Sequence, residues 1–597
     1  MATIYELLPD AFQQFDVIIA GGGTAACVVA GRLAEADPNL CVLIIEQGPN
    51  NFGVSTVVHP ALCLNALMPT SHATIFYQAV KEHQLADREL VVPSGGTLGG
   101  GSSINLMMYS RPQRSDFNAW QVPGWTTDDM IPYLEKLETY HGTSLSETHG
   151  FKGPMHVSSG TYRANRSEND WAQAAIKLGY PEIDDLASLD ANNGFQRALR
   201  YIGPDGTRQD TANRYIHPKI LSGKFPNLHV VVNSTVKRII FDESKRASGV
   251  EFISKGNSTL RTVRAKKMVV VSSGALGTPS ILERSGLGKP EILMKAGVQE
   301  IVSDLPGVGE NYQDHHLLVY PYYSSLMEHE TMDAIVGGRV NVDQLIQDKA
   351  PILGWNAMDI VCKIRPSDVE IAALGSAFQD FWDKEYKTDP NKPLALGSLI
   401  NAFPGDPSLA SPGQYFAMSV FTGYPLSRGS IHITGTECTD KPAFATGFLT
   451  DPQGIDIKKH VWAYKKQREI FRRMDTYRGE FEILHPPFPS TSDAALIRID
   501  APLTDVKDIV YTPEDNKIIE DWIRSHVETT WHSLGTCKMG PQDKAGVVDA
   551  SLSVYGVQGL KIADLSIPPR NVAANTMSTA VAIAEKAADI LIKELGL

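Results

Sequence analysis

The sequence predicts an α/β fold in which a parallel, dinucleotide-binding unit is joined to a second unit of antiparallel sheet and helices. Three observations predict it. The chain opens on a βαβ pattern, with an apolar run at 15–20 (FDVIIA), the glycines Gly21, Gly22 and Gly23, a helix-compatible stretch at 24–35 and a second apolar run at 41–46 (CVLIIE). A second strand-to-helix turn follows much later, where the run 268–271 meets Ser272, Ser273 and Gly274 ahead of a helix at 278–285. The stretch 316–530 carries alternating segments at 415–424 and 429–434, broken by loop clusters at 366–368 and 404–412, which reads as antiparallel sheet with helices. At 597 residues the chain exceeds one ordinary domain, so two or three packed units, or one large discontinuous one, are expected.

In the first unit Gly21-x-Gly23-x-x-Ala26 occupies the strand-to-helix turn, and Glu46 lies twenty residues past Ala26 at the end of the second strand. Gly21 permits the turn, Gly23 lets a pyrophosphate approach a helix N-terminus, and Glu46 accepts hydrogen bonds from ribose hydroxyls. A glycine-rich turn with no ligand is the alternative, and the turn alone does not separate NAD from FAD. The segment 95–105 (GGTLGGGSSIN) adds five glycines and two serines in eleven residues. It is able to wrap a flat ligand, and the apolar Leu106, Met107, Met108 and Tyr109 behind it argue against a solvated linker.

Farther on, 230–241 reads as paired strands and 460–474 (HVWAYKKQREIFRRM) as a basic helix. Its Lys465, Lys466, Arg468, Arg472 and Arg473 form a solvated or interface face. Near the end come Trp531 and His532, a β run at 560–563, Asp564, a Pro568-Pro569 break and a last helix at about 576–595, with Asn575 placed to cap it. His315 and His316 beside Asp314 have no metal-ligand spacing, so no metal is expected and they read as solvent-facing or packing residues.

Composition narrows the partners. With 55 basic and 68 acidic residues the net charge is −13 and no basic block occurs, which argues against nucleic acid and anionic membranes and favours a small neutral ligand. The six cysteines form no CxxC pair, so neither disulfides nor a zinc ribbon are expected. No signal-peptide pattern and no long apolar span appear, and the last residues, Glu594 to Leu597, are not an SKL-type address. Cytosol is the expected compartment, and peroxisomal residence is not supported.

These residues resemble the glucose-methanol-choline (GMC) family of flavin oxidoreductases. The segment 95–105 is similar to its first signature and 274–288 (GALGTPSILERSGLG) to its second, while 305–311 (LPGVGEN) and 427–431 (SRGSI) are similar to further landmarks. Within the family the likeness is to the fungal and yeast alcohol (methanol) oxidases, carried by GGGSSIN before MMYSR, SRGSIHITG, HVWAYKKQRE, and WHSLGTC with NVAANT. The resemblance implies noncovalent FAD, since Ile104 stands where some members carry a flavin-linking histidine. It implies a Rossmann-like, discontinuous FAD-binding domain over 1–150, 226–315 and 531–597, and a substrate domain with a large antiparallel sheet over 151–225 and 316–530.

By the same resemblance Gly21, Gly23, Thr24 and Ala25 meet the FAD pyrophosphate and Glu46 the adenosine ribose. Gly101, Asn105 and Met108 belong to the flavin-wrapping segment, Val236 to the adenine contact, and Asp564, Asn575, Thr576 and Met577 to the C-terminal flavin contacts. His532 is the implied active-site histidine, Asn575 its partner, and Leu106 and Trp531 line the substrate pocket. Leu106 stands where methanol oxidases usually have Phe, and Gly96 where many members have a basic residue.

The implied activity is oxidation of short primary alcohols to aldehydes, by hydride transfer to flavin N5 with O2 reduced to H2O2, in a homo-oligomer. A neutral His532 would take the hydroxyl proton and Asn575 would orient the alcohol oxygen, while the start of the last helix would face the reduced flavin. Three alternatives stay open: an FAD dehydrogenase with another electron acceptor, an FAD-containing hydroxynitrile lyase, and a noncatalytic dinucleotide-binding protein.

Overall fold

The computed structural model describes residues 3–144, 146–256 and 259–597. Its first sheet is eight-stranded. The order is Thr3–Tyr5, Leu228–Val231, Val42–Ile45, Gln14–Ala20, Leu260–Val271, Ala247–Ser254, Ser234–Phe241, with Leu560–Ile562 also paired to Leu260–Val271. The strands Gln14–Ala20, Val42–Ile45 and Leu228–Val231 run parallel. Their residues Val17 to Ala20 and Val42 to Ile45 are at most 1% exposed, as continuous apolar runs covered on both faces should be. Leu260–Val271 changes neighbours along its length. Its first half pairs antiparallel with Ala247–Ser254 and its second half parallel with Leu560–Ile562, which brings the C-terminal region to the middle of the sheet.

Helix Thr24–Ala36 follows the first turn, is buried all round from Ala25 to Ala30, and packs against the last helix, Met577–Leu595. There Arg32 pairs with the fully buried Glu585 at 2.7 Å, and Tyr215 Oη donates to the same carboxylate at 2.8 Å. Thr579, Ile583, Ala587 and Leu591 are buried along one side of that last helix, so its periodicity is packing. Ala26, in place of the third fingerprint glycine, is itself fully buried.

The second sheet is antiparallel, in the order Gly194–Arg197, Met358–Ile364, Ala395–Ile400, Tyr415–Thr422, His316–Ser324, the last paired with both Tyr477–Glu480 and Glu528–Thr529. All eight residues of Tyr415–Thr422 are buried, because helix Ile455–Arg472 covers one face. All six cysteines are unpaired. Among the described residues no helix is long and apolar enough to cross a membrane.

Two expectations are corrected, and one alternative is decided. Residues 230–241 do hold two strands, but Leu228–Val231 pairs with Val42–Ile45 and Ser234–Phe241 with Ala247–Ser254, because Asn233 (φ 51°) turns the chain between them. The helix expected from 278 begins at Gly274, whose N–H is held by the Asp564 carboxylate at 2.9 Å. Of the solvated and interface readings of the basic face of Ile455–Arg472, the interface one holds. Arg468 is 1% exposed and pairs with Glu480 at 2.6 Å, Lys466 pairs with Glu370 at 2.6 Å, and Arg473 with Asp508 at 2.6 Å, so these charges tie the helix to its neighbours.

Candidate active site

A cavity of about 1040 Å³ is lined from both sheets. Gly21, Gly23, Thr24, Ala25, Glu46, Gly101, Asn105, Leu106, Met108, Val236, Trp531, His532, Asp564, Asn575, Thr576 and Met577 all line it, although they are up to 556 positions apart in sequence.

One end is built for a phosphate-bearing ligand. No side chain caps helix Thr24–Ala36 at Gly23, so its first-turn N–H groups remain for a ligand beside the cavity. A Cβ on Gly23 would meet nothing closer than 3.9 Å, whereas one on Gly100 (φ +53°) would lie 2.7 Å from Gly23 Cα. Gly100 therefore lets the wrapping segment lie against the turn. Glu46 accepts the N–H of Gly22 at 2.6 Å and of Gly48 at 2.8 Å, and burial raises its carboxyl to about 7. Each of its oxygens keeps a lone pair for a further donor. Asp564 binds protein groups first: Thr278 Oγ1 donates to it at 2.6 Å and the Ser566 N–H at 2.7 Å, locking the second βα turn to the C-terminal segment. Asn105 accepts from Arg208 Nη1 at 2.8 Å and points its amide nitrogen at Met577 Sδ, 3.0 Å away.

The cavity also borders an ordered chain of imidazoles. His532 follows Trp531, whose backbone lies in the left-handed region (φ 61°), a conformation bulky residues seldom adopt. Asp314 fixes the turn by accepting the His532 N–H at 2.9 Å and the Thr529 hydroxyl, and burial raises its carboxyl to about 6. The His532 ring meets His315 Nδ1 through its own Nδ1 at 2.9 Å. His315 Nε2 in turn lies 2.8 Å from the carbonyl of Val572 and 3.1 Å from that of Gly423.

Carbonyls only accept, so His315 Nε2 carries the hydrogen. Burial lowers the His315 pKa to about 3, which keeps the ring neutral and leaves its Nδ1 bare. That nitrogen accepts from His532 Nδ1–H. The remaining His532 nitrogen, Nε2, therefore carries a lone pair, with Asn575 Nδ2 3.4 Å away. Burial, and then the adjacent His315, hold the His532 pKa well below the ordinary imidazole value. His532 is thus a base that stays unprotonated at neutral pH.

One expectation fails here, and one alternative is decided. Asn575 does not cap the last helix: Thr576 occupies the N-cap position without a side-chain bond, and the Asn575 carboxamide turns to His532 instead. Of the solvent-facing and packing readings of His315 and His316 the structure decides for the buried one, both being at most 1% exposed. His316 packs on Phe448, with ring centroids 4.2 Å apart. His315 is the residue the sequence reading missed. Its only signal was its place beside Asp314, and nothing local shows that strand His316–Ser324 starts next to residue 532.

A largely parallel sheet whose two βα turns open on one cavity, with a basic imidazole lining the same cavity, defines a dinucleotide-binding enzyme fold joined to a second, antiparallel sheet. The chain belongs to the GMC oxidoreductase family, whose N-terminal model matches residues 15–317 and whose C-terminal model matches 425–584. It is 38% identical to an alcohol oxidase of Candida boidinii, with 98% of this chain and 96% of that protein covered. It is 36% identical to an alcohol oxidase of Pichia angusta, with 99% and 96% covered. Among solved structures, an FAD-dependent oxidoreductase from Chaetomium thermophilum superposes with a TM-score of 0.79 at 27% identity, covering 98% of this chain and all of that one. A formate oxidase of Aspergillus oryzae, at 22% identity, shares the fold with a TM-score of 0.83, covering 98% of this chain and 99% of that one.

Proposed function

We propose that this protein is an FAD-dependent alcohol oxidase, converting a primary alcohol and O2 to an aldehyde and H2O2. The observation that carries the reading is the bare His532 Nε2 beside Asn575 in a cavity that also has an uncapped helix N-terminus at Gly23 and a buried Glu46. The likeness to alcohol oxidases over nearly the whole chain supports it. The residues fit FAD: first-turn N–H groups for the pyrophosphate, Glu46 for ribose hydroxyls, Val236 for the adenine, and Gly101, Asn105, Met108, Asp564, Thr576 and Met577 along the remaining wall. The same reading assigns an FAD domain to 1–150, 226–315 and 531–597 and a substrate domain to 151–225 and 316–530. Its support is that the strands of the first sheet come from the former stretches and those of the second from the latter.

FAD, when bound, supplies a two-electron acceptor that returns the electrons to O2. The chain's own work is to hold and deprotonate the alcohol. His532 Nε2 takes the hydroxyl proton, and Nδ1–H remains bonded to His315, so the ring does not rotate as it becomes charged. Asn575 Nδ2–H donates to the alcohol oxygen, orienting it and stabilising its growing negative charge without competing for the proton. The dry surroundings that depress the His532 pKa also strengthen these contacts.

The deciding experiment is anaerobic mixing of the yellow holoenzyme with a primary alcohol, followed by exposure to O2. Bleaching of the flavin and one H2O2 per aldehyde are expected. A flavin that stays oxidised, or is reduced without yielding peroxide, would sink the oxidase reading. Asn575→Ala should lower the rate of flavin reduction roughly tenfold to a hundredfold, a smaller loss than removal of the base, since one oriented donor is lost while Nε2 remains. Gly100→Ala should yield a colourless protein less stable by about 1–3 kcal/mol, because the new methyl overlaps Gly23. Thermal melting and the flavin absorbance of the purified protein check both effects.

A further inference from the structure

Strand register lays out what lies beyond the His532–Asn575 pair. On the cavity side of the second sheet, Leu317 stands opposite Phe421, and Phe421 opposite Leu396. Phe421 marks the catalytic end, its ring centroid 5.7 Å from that of His532. Two residues along the strands comes the row Val319, Ser419, Ser398, and two further the row Pro321, Ala417, Ile400, with Met358 opposite Ile400. At about 6.8 Å per pair of residues, the three rows span about 13 Å.

The side chains of these rows are uncharged. Over them, Leu106 and Met108 pack in the same apolar cluster as Met358 and Ile400. Two of the nearby polar side chains, Asn356 and Ser419, are turned to the protein. Asn356 donates to the Leu106 carbonyl at 2.7 Å and accepts the Met358 N–H at 3.1 Å, and Ser419 Oγ donates to the Ser398 carbonyl at 3.3 Å. Leu317, Val319, Ser398, Ser419 and Ile400 all line the main cavity, so this floor is open to a ligand.

Resting on the alcohol-oxidase reading, we infer that the preferred substrate is a primary alcohol carrying an unbranched hydrocarbon tail of several carbons, with its hydroxyl at His532 and Asn575 and its tail along the apolar rows. Methanol leaves these rows uncovered, a cationic alcohol brings a charge for which the floor offers no partner, and a polyol brings more hydroxyls than Ser398 can meet. Each methylene laid on the floor adds transfer free energy worth about a fourfold gain in binding.

The test is kcat/KM of the holoenzyme for the straight-chain series from methanol to octanol, with glycerol and choline alongside. The non-oxidisable tertiary alcohols of matching tail length serve as competitive inhibitors. Both kcat/KM and inhibitor affinity should climb about fourfold per methylene over several carbons and then level off. Val319→Phe and Ile400→Phe, which fill the second and third rows, should move the plateau to shorter chains. Highest kcat/KM with methanol, glycerol or choline, or inhibitor affinity independent of tail length, would overturn the inference while leaving the oxidase reading intact. Failure of every alcohol to reduce the flavin would overturn the reading itself.

Discussion

His532→Ala should yield a folded, yellow protein whose flavin is reduced by alcohol about 100- to 10,000-fold more slowly than in the parent. The fold tolerates the change because Asp314 holds the backbone N–H of residue 532 rather than its ring, and the ring borders a cavity instead of filling a core. The cofactor-facing residues at Gly23, Glu46 and Asn105 are untouched. Anaerobic stopped-flow reduction measures the loss, and a variant reduced at the parent rate would remove His532 as the base. The depressed pKa of His532 adds a pH signature. The free base is the active form, so its rate limb falls as pH drops through that pKa. In the parent, reduction should therefore stay level as pH is lowered past the ordinary imidazole range near 6.5.

His315→Ala should slow reduction roughly a hundredfold although His315 touches neither substrate nor cofactor in this reading. It is a positioning residue. Without its Nδ1 acceptor, His532 is free to place its hydrogen on Nε2, the tautomer that has no lone pair for the alcohol. Loss of the neighbouring imidazole also relieves part of what depresses His532, so the acid limb of the pH profile should move to higher pH. His315→Gln should restore part of the rate, because its amide donates toward Val572 on one side and accepts from His532 on the other. A purely structural role would lower activity without moving the pH limb and without rescue by Gln.

Both effects depend on a contact that links the start of a strand to a loop 217 positions later. The βαβ unit was legible because it is local: apolar runs, a glycine turn and a terminal acid at fixed spacing specify a parallel pair and its crossover within about thirty residues. Residues 230–241 show the limit. Two apolar strands with a turn between them look like a hairpin, yet Leu228–Val231 pairs with the distant Val42–Ile45 while Ser234–Phe241 pairs with the strand that follows it, Ala247–Ser254. The basic helix shows another. Charged residues look solvated until the structure supplies Glu480 and Glu370 to meet them.

The same division runs through the site. Sequence by itself determined the residue types at the cofactor end, because a glycine where a backbone must approach a phosphate, and an acid at a strand end, follow from chain geometry alone. It also determined that His532 and Asn575 were the groups to watch, through their resemblance to a family. Only the tertiary structure decided that Asn575 faces His532 rather than capping its helix, and that His315 reads the carbonyls of Val572 and Gly423 and passes their demand for a hydrogen on to His532. The physical reason is that a tautomer is set by the acceptors around a ring, and here those acceptors come from three segments that meet only when the two sheets pack together.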